Sequence, residues 1–284
     1  MGSKETDSGE RQAASDLSRW QVPAGGKGFT LAQCDPSAQP LTYPTKAQTK
    51  AQVTELASEI DRLQNLFYAD GRFALLVVLQ GMDAAGKDGT VRAVFKETSP
   101  LGVRAVSWKA PSDVERAHDY LWRIHQQMPR KGEFMLFNRS HYEDVLVPAV
   151  GGALSPAAAR QRLRQINDFE RMLSENGTVI LKFMLHISAQ EQRRRLQARV
   201  DDPDKRWKFD ASDVRARGQW AAYQRVYETL LRATSTRWAP WTVVPADSKI
   251  HRNLIIATLV RDKLASLKLC YPPGDPEIRG LLIQ

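Results

Sequence analysis

Short apolar runs alternate along this chain with longer segments in which apolar residues recur at helical spacing. The first run, ALLVVLQ at residues 74–80, is apolar at all but its last position, as expected of a strand buried on both faces of a parallel sheet. Similar runs occupy residues 103–108, 133–138, 178–188 and 241–246. The spacing predicts helices over residues 46–69, 112–128, 155–174, 210–233 and 248–267. Strands that alternate with helices form βαβ units, so we predict an α/β fold with a parallel five-stranded sheet flanked by helices.

The chain before the first predicted helix has a different character. Residues 1–20 are polar and aperiodic, which predicts a disordered leader. Residues 21–45 are rich in glycine and proline and predict an extended arm that lies over the rest of the fold. We therefore expect a single domain over residues 21–284, preceded by the leader.

Composition excludes several classes of protein. Of the 284 residues, 42% are hydrophobic and 26% are charged, which excludes wholesale disorder, collagen and a coiled coil. No run approaches 18 apolar residues, and the first residues lack the apolar region of a secretory signal. Cys34 and Cys270 are too few and too distant for a disulfide framework or a zinc ribbon. We expect a cytoplasmic protein that has no membrane contact.

The charge of the chain suggests the kind of partner. Lys and Arg number 41 against 32 Asp and Glu, a net charge of +9. Residues 193–232 hold eleven of these cations and six of the acids, so this short segment carries more than half of the net charge. Such a balance favours a polyanion, which includes nucleic acid, nucleotides, polyphosphate and an acidic membrane surface. A solvated helix face is the alternative that this segment leaves open.

The sequence GMDAAGKDGT, residues 81–90, follows the first apolar run directly. Gly81, Gly86 and Lys87 fit the phosphate-binding pattern GxxxxGK, in which backbone N–H groups and a helix N-terminus cradle phosphate and the lysine adds an ammonium. Its position between a strand and a helix favours this function over an ordinary glycine-rich turn. Four further residues of the loop are expected to line the phosphate site: Ala84, Ala85, Gly89 and Thr90.

Two acidic residues distinguish this loop from the usual pattern. Asp88 stands where Ser or Thr ordinarily holds Mg²⁺, and Asp83 adds a carboxylate inside the loop. Acids beside bound phosphates repel them unless a cation lies between the two. The loop therefore predicts Mg²⁺ held by carboxylate, with Asp83 the favoured ligand. Capping of the following helix is the alternative for Asp88.

Further candidates follow the second and third strands, because ligands of open α/β sheets bind at the carboxyl ends of strands. The third strand ends at Asn138, where a Walker B aspartate would ordinarily stand. Arg139 is then placed to contact a phosphoryl group, and Glu143 or Asp144 to reach the metal or the acceptor, although acids favoured by a helix N-terminus would look the same. Lys109 is a further candidate, after the second strand.

The basic segment predicts a lid. Its cations Arg199, Lys205, Arg206 and Lys208 surround the acidic turn DDPD, residues 201–204. A helical hairpin over about residues 190–225 would carry them at its tip, above the carboxyl ends of the strands. Cations aimed at a phosphoryl group in transit stabilise the charge that develops during transfer.

Five ordered blocks of this sequence resemble the polyphosphate kinase 2 family: GMDAAGKDGTV, SWKAPS followed by HDYLWRIH, FNRSHYEDVLV, DDPDKRWKFDASD and TSTRWAPWTVVPADSK. The resemblance covers about residues 22–268. It implies a thymidylate-kinase-like P-loop core with a helical lid. It also implies Mg²⁺-dependent, reversible phosphoryl transfer between inorganic polyphosphate and nucleotides by a homotetramer or homodimer.

The resemblance also implies roles for individual residues. Asn138 and the sequence SHYED are similar to the class III subgroup, which phosphorylates both AMP and ADP. Asp83 becomes the residue that organises the metal, with Asp144 as a second candidate ligand, and Lys87 becomes the lysine of the phosphate loop. Arg139 becomes a phosphate ligand. The lid cations carried over are Arg199 and Lys208.

Two other functions are weighed against this one. An ATP-dependent nucleoside monophosphate kinase would share the loop and the lid. A basic nucleic-acid-binding protein with a vestigial P-loop would share the charge, but no strand interleaves aromatic and basic residues as RNA-binding strands do. We therefore expect polyphosphate and adenine nucleotides as the partners, and no nucleic acid.

Overall fold

The computed structural model describes residues 17–276. Within them the five apolar runs form one sheet whose neighbouring strands all pair in parallel, in the order β2-β3-β1-β4-β5. The strands are β1 Ala74–Gln80, β2 Val103–Ser107, β3 Phe134–Asn138, β4 Thr178–His186 and β5 Trp241–Pro245. The predicted parallel five-stranded α/β sheet is confirmed.

The helices fall into two packed groups. The first contains α1 Lys46–Asp70, α2 Lys87–Val94 and α10 Lys249–Ser266. The second contains α5 Glu143–Val150, α6 Pro156–Glu175 and α9 Trp220–Thr234. The structure also contains the α-helices α3 Asp113–Arg116, α4 Trp122–His125, α7 Ala189–Asp201 and α8 Ala211–Gly218, together with 3₁₀ turns at Ala24–Gly26, Leu31–Gln33 and Arg206–Lys208. In this arrangement every residue of β1 is buried. Burial of both faces explains why its apolar residues do not alternate with polar ones.

Strand β1 lies at the centre of the sheet, between β3 and β4. The chain first builds the side that holds β2 and β3, and then crosses to the side that holds β4 and β5. A crevice forms at such a switch of direction, beyond the carboxyl ends of the strands. The register places Leu79 beside Asn138 and Gln80 beside Met184, so the residues that follow β1 and β3 open into the same crevice.

Two predicted helices are divided in the structure. The segment 112–128 forms the short helices α3 and α4, because the side chain of Asp119 accepts a hydrogen bond from the Leu121 amide (3.0 Å) and closes a local turn. The segment 210–233 divides at Gln219 into α8 and α9, directly after Gly218, a residue that weakens helices.

The arm follows the free edge of the sheet. Gln21 forms an antiparallel bridge with Thr242, and the Val22 amide donates to the Trp241 carbonyl (2.8 Å). Strand β5 is thereby covered on its outer edge. Leu17 and Trp20, which the sequence placed at the end of the leader, are buried in the core. The remainder of the predicted leader, residues 1–16, lies outside the described residues, as do residues 277–284.

Candidate active site

The phosphate loop connects β1 to α2 through backbone conformations that favour glycine. Gly81 has φ 147°, and a Cβ on it would lie 2.6 Å from the Leu185 carbonyl oxygen. Gly86 has φ 105° and forms the N-cap of α2, which begins at Lys87. The loop therefore aims the N-terminus of an eight-residue helix at the crevice, as anion binding requires. Asp88 lies in the first turn of α2 and does not cap it.

Lys87 is held by the backbone of its own loop. Its Nζ donates to the carbonyl oxygens of Gly81 (2.7 Å) and Met82 (3.3 Å). An ammonium has three N–H donors, so one more acceptor can be bound beside these two. Burial lowers the pKa of Lys87, and the positive charge of Arg139 adds to this effect. A bound phosphate would offset both.

Arg139 and Asp83 meet across the crevice. Nη2 of Arg139 lies 2.6 Å from Oδ1 of Asp83, although the two residues are 56 positions apart in the sequence. Arg139 has φ 64°, a left-handed conformation that is uncommon outside glycine and that aims its side chain at the loop. Burial opposes the charge of Arg139, but the carboxylates of Glu143 and Asp83 outweigh it and raise the pKa.

Glu143 completes this group of charges at the start of α5. Its partial burial raises its pKa, against the attraction of Arg139 and Lys87. Together with Asp83 and Arg139 it lines a small pocket between the loop and the lid. The opposite wall is apolar and aromatic, and consists of Leu146, Val147, Ala216, Tyr223 and Tyr227.

Asn138 and Asp88 meet beside the loop. The Nδ2 group of Asn138 donates a hydrogen bond to the Asp88 carboxylate. The neutral amide thus satisfies one carboxylate oxygen of Asp88 without neutralising its negative charge. The Asn138 carbonyl accepts a hydrogen bond from the Trp108 amide (3.0 Å), which fixes the end of β3 against the segment after β2.

The Asp144 carboxylate pairs with a different arginine from the one that pairs with Asp83. Its Oδ2 accepts a hydrogen bond from Nη2 of Arg123 (3.1 Å), and its carbonyl accepts one from Arg162 (2.6 Å). Arg123 also donates to the Lys109 carbonyl (3.0 Å) and lies over the ring of Trp108. The side chain of Lys109 is exposed. Asp144 and Lys109 thus belong to a neighbouring group organised by Arg123, a residue that lies in one of the family-like blocks but to which the sequence assigned no role.

The lid cations lie at the tip of the hairpin formed by α7 and α8. Arg199 lies 3.5 Å from the Asp213 carboxylate and donates to the Lys208 carbonyl (3.3 Å). Lys205, Arg206 and Lys208 are exposed. Lys205 pairs with Asp202, Arg206 donates to the Val200 carbonyl, and Lys208 lies over the ring of Trp207. In this conformation the three exposed cations bond within the hairpin.

The base of the lid is joined to the phosphate loop. Nε2 of Gln192 donates to the Asp83 carbonyl (3.1 Å), and Arg217 donates to Oε1 of Gln192 (3.1 Å) and to the Ala189 carbonyl (2.7 Å). Burial raises the pKa of Asp213 at the start of α8, and the negative charge of Asp83 adds to this. The negative charge of Asp83 in the loop therefore acts electrostatically on Asp213 in the lid.

Arg195 belongs to the basic segment but points away from solvent. It is buried, pairs with Glu191 (2.7 Å) and donates to the carbonyls of Ala84 and Ala85 (3.0 Å each). Its Nη2 also donates to the Ala246 carbonyl (2.7 Å), at the end of β5. This arginine supports the phosphate loop from behind.

Residues 43–269 match the family model described as polyphosphate kinase 2 (PPK2). The chain belongs to this family. An "AMP/ADP-polyphosphate phosphotransferase" of Meiothermus ruber is 44% identical over 94% of this chain and 100% of that protein. An "ADP-polyphosphate phosphotransferase" of Rhodopseudomonas palustris is 40% identical over 85% of this chain and 91% of that protein. A crystal structure of polyphosphate kinase 2 from Arthrobacter aurescens TC1 superimposes with a TM-score of 0.85, at 40% identity, over 90% of this chain and 94% of the other.

The structure thus gathers one part of the predicted site and leaves another part elsewhere. The loop, Asn138, Arg139 and Glu143 share one crevice, whereas Asp144 and Lys109 adjoin Arg123 and the lid cations remain at the hairpin tip. Across residues 17–276, no three His, Cys, Asp or Glu side chains form a metal-binding cluster. Over the same range, no helix has the length and apolar character needed to cross a membrane.

Proposed function

We propose that this polyphosphate kinase 2 family member transfers the terminal phosphoryl group of inorganic polyphosphate to AMP and to ADP, reversibly and with Mg²⁺. The relatives from Meiothermus ruber and Rhodopseudomonas palustris, whose names state this chemistry, support the substrates. The observation that carries the proposal is the convergence of the buried Lys87 with Arg139 and Asp83 at the mouth of a phosphate loop.

The chemistry needs positioning and charge, and no nucleophilic side chain. A terminal phosphate oxygen of the nucleotide attacks the end phosphorus of the polyphosphate in line, and the bond to the bridging oxygen breaks. Loop N–H groups and Lys87 hold the phosphoryl group in transit. Arg139 would exchange Asp83 for a substrate oxygen, and Glu143, which lines the same pocket, would keep a negative charge near the guanidinium.

The acceptor nucleotide fits the pocket between the loop and the lid. Its phosphate would lie against Arg139, and the aromatic and apolar wall that includes Tyr223 and Tyr227 would cover the sugar and base. Closing the lid would bring Arg199 and Lys208, together with Lys205 and Arg206, against the polyphosphate chain.

Mg²⁺ fits the chemistry of these residues. Magnesium prefers one or two carboxylates together with substrate phosphates to a complete protein cage, and the described residues offer carboxylates without such a cage. We propose Asp83 as its principal ligand, with Asp88 and Glu143 nearby. Asp144 could join only by giving up Arg123. When bound, the ion supplies neutralisation of charge on the phosphate oxygens.

The deciding experiment supplies AMP, long-chain polyphosphate and Mg²⁺ without ATP, and separates the nucleotides by chromatography. We expect ADP first and ATP later. The Lys87→Ala variant is the matched control, and we expect it to lose about two to three orders of magnitude in turnover. A parallel reaction contains AMP, ATP and Mg²⁺ without polyphosphate. Formation of ADP in that reaction, with none in the polyphosphate reaction, would instead identify a nucleoside monophosphate kinase. Retention on DNA or RNA at physiological salt without any transfer would identify a nucleic-acid-binding protein.

We further propose that the protein is cytoplasmic and assembles as a homotetramer or homodimer. Light scattering coupled to size-exclusion chromatography measures the assembly directly, and a monomer at micromolar concentration would contradict it.

A further inference from the structure

Arg252 lies directly behind the phosphate loop. It belongs to α10, is 1% exposed, and donates from Nη1 to the Ala85 carbonyl (2.9 Å). A Cβ built on Gly86 would lie 1.9 Å from this Nη1, and one on Gly89 would lie 3.4 Å from Nη2. The guanidinium therefore occupies the space that the two loop glycines leave open.

The charge of Arg252 has no carboxylate partner among the described residues. Besides the Ala85 carbonyl, it donates to the neutral Oδ1 of Asn253 (3.2 Å from Nε and 2.9 Å from Nη2). Burial, and then the like charge of Arg195, lower the pKa of Arg252 to about 9, so the group stays charged at neutral pH. Buried charges are normally paired.

The other two fully buried arginines of the described residues, and the half-buried Arg261 on the same helix, follow that rule. Arg195 pairs with Glu191, Arg123 with Asp144, and Arg261 with Glu59 and Asp262. Arg252 is also the one among these four that the loop glycines contact. No carboxylate on its own side of the loop therefore balances the charge of Arg252, whereas an anion bound on the crevice side would do so.

The hydrogen bond to Ala85 also orients the loop. The C=O and N–H of a trans peptide point in opposite directions. Because Arg252 and Arg195 both draw the Ala85 carbonyl backward, the Gly86 N–H points toward the crevice. The guanidinium therefore turns a donor toward the phosphate site and adds a positive charge beneath it.

We propose that the phosphoryl group bound in the loop is the counter-ion of Arg252, and that Arg252 is a positioning residue that sets the affinity of the loop for polyphosphate. This inference rests on the proposed function. Arg252 acts through the loop, because it is too deeply buried to touch the substrate.

The test measures the binding of tripolyphosphate by calorimetry, together with the melting temperature with and without this ligand. Arg252→Gln and Arg252→Met remove the charge, Arg252→Lys retains it, and Arg261→Gln on the same helix is the matched control. We expect the neutral variants to bind about tenfold more weakly, Arg252→Lys to bind within about threefold of the wild type, and Arg261→Gln to bind unchanged. We also expect the ligand-induced rise in melting temperature to shrink in the neutral variants alone.

A purely structural role predicts the reverse: a lower melting temperature without ligand and an unchanged response to ligand. That result would overturn the inference, as would weak binding by a folded Arg252→Lys equal to that of the neutral variants. Should Arg252→Gln not fold, Arg252→Met and Arg252→Lys still decide the question. Failure of the wild type to bind tripolyphosphate would overturn the proposed function itself, whereas equal binding by wild type and neutral variants would overturn the role of Arg252 alone.

Discussion

Asn138 shows how one side chain can set the charge of a site. Its amide donates to Asp88 where a Walker B aspartate would place a second carboxylate. The site therefore carries one negative charge fewer next to the first turn of α2. ADP carries one phosphate more than AMP does, and with it more negative charge, so the charge at position 138, next to Arg139, can affect the choice between the two acceptors.

We expect Asn138→Asp to change the ratio of kcat/KM for AMP and ADP more than it changes the melting temperature. The new carboxylate would face Asp88, and relief of their repulsion would require more Mg²⁺. Steady-state kinetics with each acceptor over a range of Mg²⁺ concentrations measures both effects. Asn138→Ala, which removes the hydrogen bond without adding charge, is the control. Equal changes for the two acceptors would mean that Asn138 is only structural.

At the scale of elements, the lid is joined to the loop at its base and carries its cations at its tip. Gln192 and Arg217 connect α7 and α8 to the Asp83 backbone, while Arg199 reaches both Asp213 and the Lys208 carbonyl. Arg199 is thus the lid cation whose position depends most on the hairpin. The exposed cations beyond it can turn toward a polyanion without breaking the fold.

We expect Arg199→Ala and Lys208→Ala to lower kcat/KM for polyphosphate by about one to two orders of magnitude, the effect of losing one charge-assisted contact. If the lid closes during turnover, these variants should have both a lower kcat and a higher KM for polyphosphate. Steady-state kinetics with polyphosphate varied at two salt concentrations measures both parameters. Lys50→Ala, on the exposed face of α1, is the control. Wild-type values for all four lid variants, including Lys205→Ala and Arg206→Ala, would show that the basic segment is only surface.

A buried polar network connects further elements beneath the site. Nζ of Lys182 on β4 lies 2.6 Å from the Glu170 carboxylate on α6 and donates to the Thr234 carbonyl (2.8 Å) at the end of α9. The Tyr142 hydroxyl donates to Glu170 (2.7 Å), next to the turn that carries Arg139 and Glu143. The network therefore holds the β3–α5 connection against α6 and α9.

We expect Glu170→Gln to lower the free energy of unfolding by about 3–5 kcal/mol, because it leaves the buried Lys182 without a counter-ion. The double variant Glu170→Leu with Lys182→Met should recover much of this loss, since apolar residues can replace a buried pair. Denaturant unfolding of the single and double variants measures both. If Glu170→Gln lowers the free energy of unfolding by less than about 1 kcal/mol, Glu170 is not the essential counter-ion of Lys182.

The same experiment has a pH dependence of known sign. Burial raises the pKa of Glu170, but the charge of Lys182 and the hydrogen bond with His141 outweigh it, so the folded pKa is lowered. A carboxyl with a lowered folded pKa stabilises the fold above its unfolded pKa, and this contribution is lost as the pH falls through the folded pKa. The difference between wild type and Glu170→Gln should therefore shrink in acid.

On the scale of the whole molecule, the net charge of +9 is distributed unevenly. Buried arginines support the loop, and exposed cations occupy the lid. Polyphosphate carries about one negative charge per phosphoryl unit, and its binding to several cations releases counter-ions, as with other polyanions.

We expect KM for long-chain polyphosphate to rise on the order of a hundredfold between about 50 and 200 mM salt if roughly four lid cations take part. KM for AMP, which carries fewer charges, should rise much less. Steady-state kinetics in a series of salt concentrations tests this, and repetition with tripolyphosphate provides a short-chain control. A KM for polyphosphate that does not respond to salt would contradict a role for the lid charge.

The sequence alone determined the sheet, the loop and the family, because each of these depends on local signals. Apolar runs such as residues 74–80 have the length and the continuous burial of central strands. The GxxxxGK spacing needs only neighbouring residues, and the glycines that it contains have the backbone angles that it implies. Division of the helices at Asp119 and Gln219 was missed, because a single turn-forming contact interrupts an otherwise helical pattern.

Pairings between distant residues were decided only by the tertiary structure. Three consecutive arginines, at 193–195, look alike in the sequence, but the helical turn exposes the first two and buries Arg195 behind the loop. Asp83 lies 56 residues from Arg139, and Arg252 lies 167 residues from Ala85. Lys182 has apolar neighbours on both sides in the sequence, and its partner Glu170 is on another element. Which charges neutralise one another depends on how the elements pack, and no local pattern carries that information.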